Sequence, residues 1–259
     1  MSGAGEEVLG LGAMSRVWRM GDTIRRTRGP WSDTTAALLQ HLERKGFAAS
    51  PRHLGVDELG RDVLSVVPGT PIPALQGDNQ LVQVAMLMRA FHDATADFVE
   101  PPDACWRVRP SPAGGDARII HRDVAPWNLL ESGGVITGLV DWDLAGPGRL
   151  ITDFAYLTWH FVPLHGELTG DGTSGPPVTD RPRRLRLLAD SYGLTGPERR
   201  SLLSEVAAME VRQAAWVADR ALAGDQALAG LWRSGRFTEA IGRSLSWLAE
   251  HRDGLEAAL

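Results

Sequence analysis

Lysine is almost absent: Lys45 is the only one among 27 Lys and Arg residues. Any role that calls for a lysine must therefore be filled by arginine, which is bulkier and grips phosphate as a planar fork rather than a point charge. Cysteine is just as scarce. Cys105 stands alone, which excludes a disulfide framework and a cysteine-rich metal site. No long hydrophobic run occurs. The most apolar helix-length stretch, Leu81 to Met88, is too short to cross a bilayer. Met1 to Gly10 carries Glu6 and Glu7 and lacks a basic region followed by an apolar one, so no secretory signal and a cytoplasmic location are expected. Excess positive charge is also missing: the net charge of -5 argues against general nucleic-acid binding, which needs a basic surface.

What is present is ordinary for a globular protein. At 259 residues, 43% hydrophobic and 23% charged, the chain can bury one large core or two small lobes sharing a cleft. Short apolar segments at Val8 to Leu11, Arg16 to Met20 and Thr23 to Thr27, with a turn at Gly21-Asp22, predict three antiparallel strands. A helix is expected from about Thr34 to Lys45, capped by Ser32 or Asp33 and ended by Gly46. Arg52 to Val56 and Val63 to Val67 predict a hairpin. The Pro- and Gly-dense stretch Pro68 to Gly77 predicts a connection. An amphipathic helix at Asn79 to Phe98 follows, then a short strand at Ala117 to Ile120 and a hairpin turning at Gly133-Gly134. From Phe154 the pattern is mostly helical, with helices at Arg183 to Tyr192, Pro197 to Ala223 and Phe237 to Glu250. The exception is a loop at Val162 to Arg181.

The chemistry is concentrated in His121-Arg122-Asp123-Val124-Ala125-Pro126-Trp127-Asn128 and, after the hairpin, Asp141-Trp142-Asp143. An Asp and an Asn separated by four residues match the catalytic loop of kinases. Phosphoryl transfer needs a carboxylate to orient a hydroxyl and accept its proton, and oxygen donors to hold magnesium against phosphates. Asp123 can do the first. Asn128 and Asp141 can do the second.

These segments, with Gly138 to Asp143 and Asp153-Phe154-Ala155, resemble the aminoglycoside phosphotransferase family of antibiotic and metabolite kinases. The resemblance implies an α+β, protein-kinase-like, two-lobed fold: a small antiparallel-sheet lobe with one helix, and a larger, mostly helical lobe. It places a nucleotide-binding lobe at 1–69 and a catalytic and substrate-binding lobe at 70–259. It also implies ATP and Mg2+ as cofactors and a hydroxylated small molecule as acceptor, without nucleic-acid or membrane partners. Asp123 would be the catalytic base, and Asn128 and Asp141 the metal ligands. His121 would support the loop, Asp153 would brace it, and Asp143 would assist the metal or serve structure.

The departures lie near the start. Where the family has a phosphate-binding lysine, the third strand reads Thr23-Ile24-Arg25-Arg26-Thr27. Alternation lets one arginine face the cleft; Arg25 is the first choice and Arg26 the second. The helix Thr34 to Lys45 has no acid before Glu43, and Gly10 and Gly12 make only a rudimentary glycine loop. A kinase-like protein that binds nucleotide without transferring phosphate is therefore the alternative, with a metal-dependent hydrolase behind it. Trp216 and Trp247 are expected in packing and His92 in a structural role. Trp159, His160 and His165 lie between the catalytic segment and the loop, with pocket lining as their second reading; Glu205, Glu210 and Asp219 are expected on a solvated helix face, with contact to a cationic substrate as the alternative.

Overall fold

A computed structural model describes residues 6–11, 16–72, 77–108, 117–165 and 177–259. The chain divides into two units, Met1–Ala74 with Leu87–Leu150, and Leu75–Met86 with Ile151–Leu259.

In the first unit, β1 (Glu7–Leu11), β2 (Arg16–Met20), β3 (Thr23–Arg26), β4 (His53–Val56) and β5 (Asp62–Ser65) form one antiparallel sheet in the order β1-β2-β3-β5-β4. The β2–β3 turn needs a left-handed residue, and Gly21 supplies it at φ 58°. Asp57 shapes the β4–β5 turn by accepting the amides of Leu59 and Arg61 at 3.0 and 2.9 Å. The register pairs Arg25 with Val63 and Arg26 with Asp62, so successive arginines face opposite sides of the sheet.

α1 (Ser32–Arg44) begins two residues before the expected Thr34, and neither Ser32 nor Asp33 caps it. Ser32 Oγ accepts the Gly29 amide instead, at 3.0 Å, and Asp33 pairs with Arg28. α2 (Asp78–Ala94) stops short of Phe98. β6 (Thr70–Pro71), β7 (Arg118–Ile120), β8 (Leu129–Ser132), β9 (Val135–Leu139) and β10 (Gly146–Gly148) complete this unit: β6, β8 and β9 make a three-stranded sheet, and β7 pairs with β10. Gly138 allows β9 to lie against residue 49: a Cβ there would fall 2.9 Å from the Ala49 carbonyl oxygen and 2.3 Å from a Val67 methyl. The next amide, of Leu139, bonds that same carbonyl at 2.8 Å. An aromatic chain runs beneath the β9 end: Phe47 to Phe91 at 6.1 Å, Phe91 to Trp142 at 5.0 Å, and Trp142 to His121 at 4.7 Å between ring centres. Burial of such rings is the largest packing contribution per residue available.

The second unit is helical: α3 (Leu150–Phe161), α4 (Arg181–Tyr192), α5 (Gly196–Leu222), α6 (Gln226–Arg233), α7 (Arg236–Glu250) and α8 (Arg252–Ala258). Sequence reasoning missed α6 and α8 and began α3 four residues late. A capping box starts α5, with the Thr195 amide bonding Glu198 at 2.8 Å. Gly193, at φ 83°, ends α4 in the left-handed turn that favours glycine. Among the described residues no helix is long and apolar enough to cross a membrane.

Candidate active site

β7 delivers the chain into the loop His121 to Asn128. His121 is fully buried against Trp142, and its Nδ1 accepts the Asp123 amide at 3.3 Å. Arg122 turns the chain at φ 65°. Its guanidinium donates to the carbonyls of Leu144, at 3.1 Å, and Pro147, tying the loop to the segment before α3. Val124 and Ala125 are buried, and Pro126 opens a single 3₁₀ turn that ends at Asn128. The Asn128 amide nitrogen donates to the Asp123 backbone carbonyl at 2.9 Å and to its carboxylate at 2.8 Å. Two residues five apart are thereby locked together. Both bonds use the Asn128 nitrogen and leave its amide oxygen out.

β9 returns the chain to Asp141, which sits in the left-handed region at φ 64°. Trp142 drops into the core and donates to Leu139 O at 2.9 Å, leaving Asp141 and Asp143 to meet Arg26 from β3. Arg26 Nη2 lies 2.7 Å from Asp141 Oδ1 and 2.8 Å from Asp143 Oδ2. Asp143 is also held by Arg107 at 3.0 Å, and that guanidinium lies 4.2 Å over the Trp31 ring. Desolvation works to raise both carboxyls, Asp143 being buried and the Asp141 side chain 46% exposed. At Asp141 the charge and hydrogen bond of Arg26 prevail and hold it below the usual range. At Asp143 the neighbouring Asp141 charge adds to burial, and the group lies above it despite Arg26.

Arg25, the first choice from sequence, lies on the other face. Its Nε is 3.4 Å from Asp57 and its Nη1 donates to Thr23 at 2.7 Å. The pleat assigns the inward position to Arg26. Its acidic partners come from the Asp141–Asp143 segment; the acid early in α1, Asp33, pairs with Arg28 instead. The Asp-x-Asp spacing carried that signal. Arg107, in a loop without regular structure, carried none.

Arg26, Asn128, Asp141 and Asp143 line one cavity of about 800 Å³ in the first unit, with Trp127 and apolar side chains of β2, β3 and α1. Among the described residues there is no cluster of three or more His, Cys, Asp or Glu fit to hold a metal alone. The carboxylate and amide oxygens present suit magnesium, which takes one or two protein oxygens and completes its shell with phosphate and water. Gly12 of the rudimentary glycine loop lies outside the described residues.

Elsewhere, His92 is buried beside Phe91, as a structural role requires. Trp159 and His165 contact each other in the second unit, 4.6 Å between rings. Trp216 is 41% exposed rather than packed. Glu205 and Glu210 are buried, not solvated: Glu205 bonds Thr152 and Arg212, and Glu210 bonds Ser244.

A small antiparallel sheet with one helix, followed by a loop bearing Asp and Asn and a hairpin ending in Asp, defines the class: a protein-kinase-like phosphotransferase fold. Residues 98–203 match the phosphotransferase enzyme family. The chain is 35% identical over 255 residues to the trifolitoxin immunity protein of Rhizobium leguminosarum bv. trifolii, covering 96% of each. This chain belongs to that phosphotransferase family, and its enzyme class is that of the small-molecule kinases. Solved structures share its fold. A choline/ethanolamine kinase family protein from Mesorhizobium loti matches with TM-score 0.64 and 17% identity, over 98% of this chain and 92% of that one. A macrolide 2′-phosphotransferase from Brachybacterium faecium matches with TM-score 0.60 and 15% identity, over 90% and 91%.

Proposed function

We propose that this protein transfers the γ-phosphate of ATP to a hydroxyl of a small molecule, an antibiotic or a metabolite, with Asp123 as catalytic base. The observation that carries this reading is the joining of four groups in one unit: Asn128 is bonded to the Asp123 carboxylate at 2.8 Å, and Arg26 to Asp141 at 2.7 Å. Asp123 is half-buried and can align the acceptor hydroxyl and take its proton. Asn128 and Asp141 are the oxygen ligands for magnesium, which when bound neutralises charge on the phosphates. Arg26 is the phosphate-binding cation, in place of lysine. Residues 1–69 act as the nucleotide-binding part, and 70–259 carry the base, the metal ligands and the acceptor contacts. A toxin or antibiotic as acceptor fits the name of the immunity protein that resembles this chain.

A second reading, nucleotide binding without transfer, is favoured by the arginine that stands where the family has its phosphate-binding lysine. Purified protein with γ-labelled ATP, magnesium and a panel of hydroxylated acceptors separates the two. The expected outcome is acceptor-dependent labelling that is lost in Asp123→Asn, while the nucleotide-dependent rise in melting temperature survives. A thermal shift with no transfer to any acceptor would replace the first reading with the second.

A further inference from the structure

One nitrogen, Arg26 Nη2, bridges two carboxylate oxygens at 2.7 and 2.8 Å. Residues two apart on an ordinary strand would share one face but stay about 7 Å apart. Here the left-handed turn at Asp141 (φ 64°) and burial of Trp142 fold 141 and 143 back onto a single point. Two carboxylates so arranged repel each other unless a cation lies between them. We propose that Arg26 is that cation's stand-in: it occupies the metal position while no nucleotide is bound, so the site refuses magnesium alone and admits it only with a nucleoside triphosphate. This rests on the function proposed above, in which Asp141 holds the metal.

Charge and exposure support it. Arg26, Arg107, Asp141 and Asp143 sum to zero formal charge, and all four side chains are joined by contacts of 3.0 Å or less. Magnesium arriving alone would add two positive charges beside two guanidinium groups. Arginine cannot relieve the conflict by losing its proton; it has to move. A triphosphate changes the balance, since it offers the guanidinium fork new oxygen partners and supplies magnesium with the phosphate ligands it favours. The Asp141 side chain is 46% exposed and Arg26 only 12%, so the carboxylate is already open to solvent while the guanidinium covers one of its oxygens. Asp143, fixed by Arg107, keeps its place when Arg26 leaves. Arg25 cannot take over, because it is held by Asp57 on the opposite face.

By linkage, nucleotide and metal must raise each other's affinity by the same factor. The test is thermal shift and titration calorimetry on the full chain, wild type and Arg26→Gln, with magnesium alone, a non-hydrolysable ATP analogue alone, and both. Wild type is expected to ignore magnesium alone and to show mutual enhancement of about tenfold or more. Arg26→Gln is expected to bind magnesium alone, with enhancement falling towards none. If wild type takes magnesium alone as readily as Arg26→Gln does, this inference is overturned and the proposed function stands. If neither protein responds to nucleotide and magnesium together, both fall. Should Arg26→Gln fail to fold, Arg26→Lys, which offers a point charge that bridges two carboxylates poorly, gives the reading instead: reduced enhancement supports the inference and unchanged enhancement overturns it.

Discussion

In the first unit the buried Asp143 is flanked by Arg26 at 2.8 Å and Arg107 at 3.0 Å. In the second, Glu210 is 1% exposed, takes part in no ion pair among the described residues, and accepts a hydrogen bond from Ser244 at 2.8 Å. Burial pushes its carboxyl up to about 7, against the hydrogen bonds from Ser244 and Trp159. His160 in the same unit is pushed down to about 3 by burial and then by His165. Asp143 answers burial with countercharge; Glu210 and His160 answer it by staying neutral. A countercharge can be exchanged for a charged ligand. A neutral group changes only with pH. The aspartate pair offers a charged ligand something to exchange, whereas Glu210 and His160 offer only a proton.

The largest effect should come from breaking the paired region. Asp143→Ala removes the buried carboxylate that holds both Arg26 and Arg107 and is expected to lower stability by about 3–5 kcal/mol in urea denaturation. Next, Glu210→Gln removes the unpaired acid from the helical unit. The folded-state value of about 7 exceeds the ordinary 4.5. Between those values the folded protein keeps a proton that the unfolded chain has lost, so wild-type stability falls as pH rises through that window. The variant should match wild type near pH 4 and exceed it by up to about 3 kcal/mol at pH 8, as read by melting curves across pH. Arg25→Ala sharpens the contrast with its neighbour: a loss of about 1 kcal/mol or less, with the mutual enhancement of nucleotide and magnesium unchanged in calorimetry. The smallest effect is expected for Lys45→Ala. Its contact with Asp97, at 2.5 Å with side chains 40% and 63% exposed, should contribute under about 1 kcal/mol and vanish in high salt.

Much of this was legible in the residues. The Asp123–Asn128 spacing, the glycine turn and the strand running into Asp141 are local, and local spacing is what a sequence displays. The choice between Arg25 and Arg26 was not, since alternation says that one faces inward without saying which. The register of β3 against β5 decides it. Arg107 reaches Asp143 across 36 positions, a contact only tertiary packing creates. Glu205 and Glu210 misled for a related reason: charged residues on a long helix usually face water, and these are covered by Thr152 of α3 and Ser244 of α7. α6 and α8 are too short, at 8 and 7 residues, to show a clear apolar period.

Arg122 and Asp141, at φ 65° and 64°, adopt backbone angles that are sparsely populated outside glycine, and each stores strain of about 1–3 kcal/mol. Arg122 lies within the loop His121 to Asn128 and Asp141 at the end of the hairpin that follows it; the Arg122 guanidinium, braced on the Leu144 and Pro147 carbonyls, is the clamp that keeps the loop cocked. Such a segment is a wound spring. On warming it has a reason to let go before the helices melt, so inactivation should run ahead of the loss of helical signal. The working lifetime of the enzyme would then be set by one clamp on a short loop rather than by the stability of the whole chain.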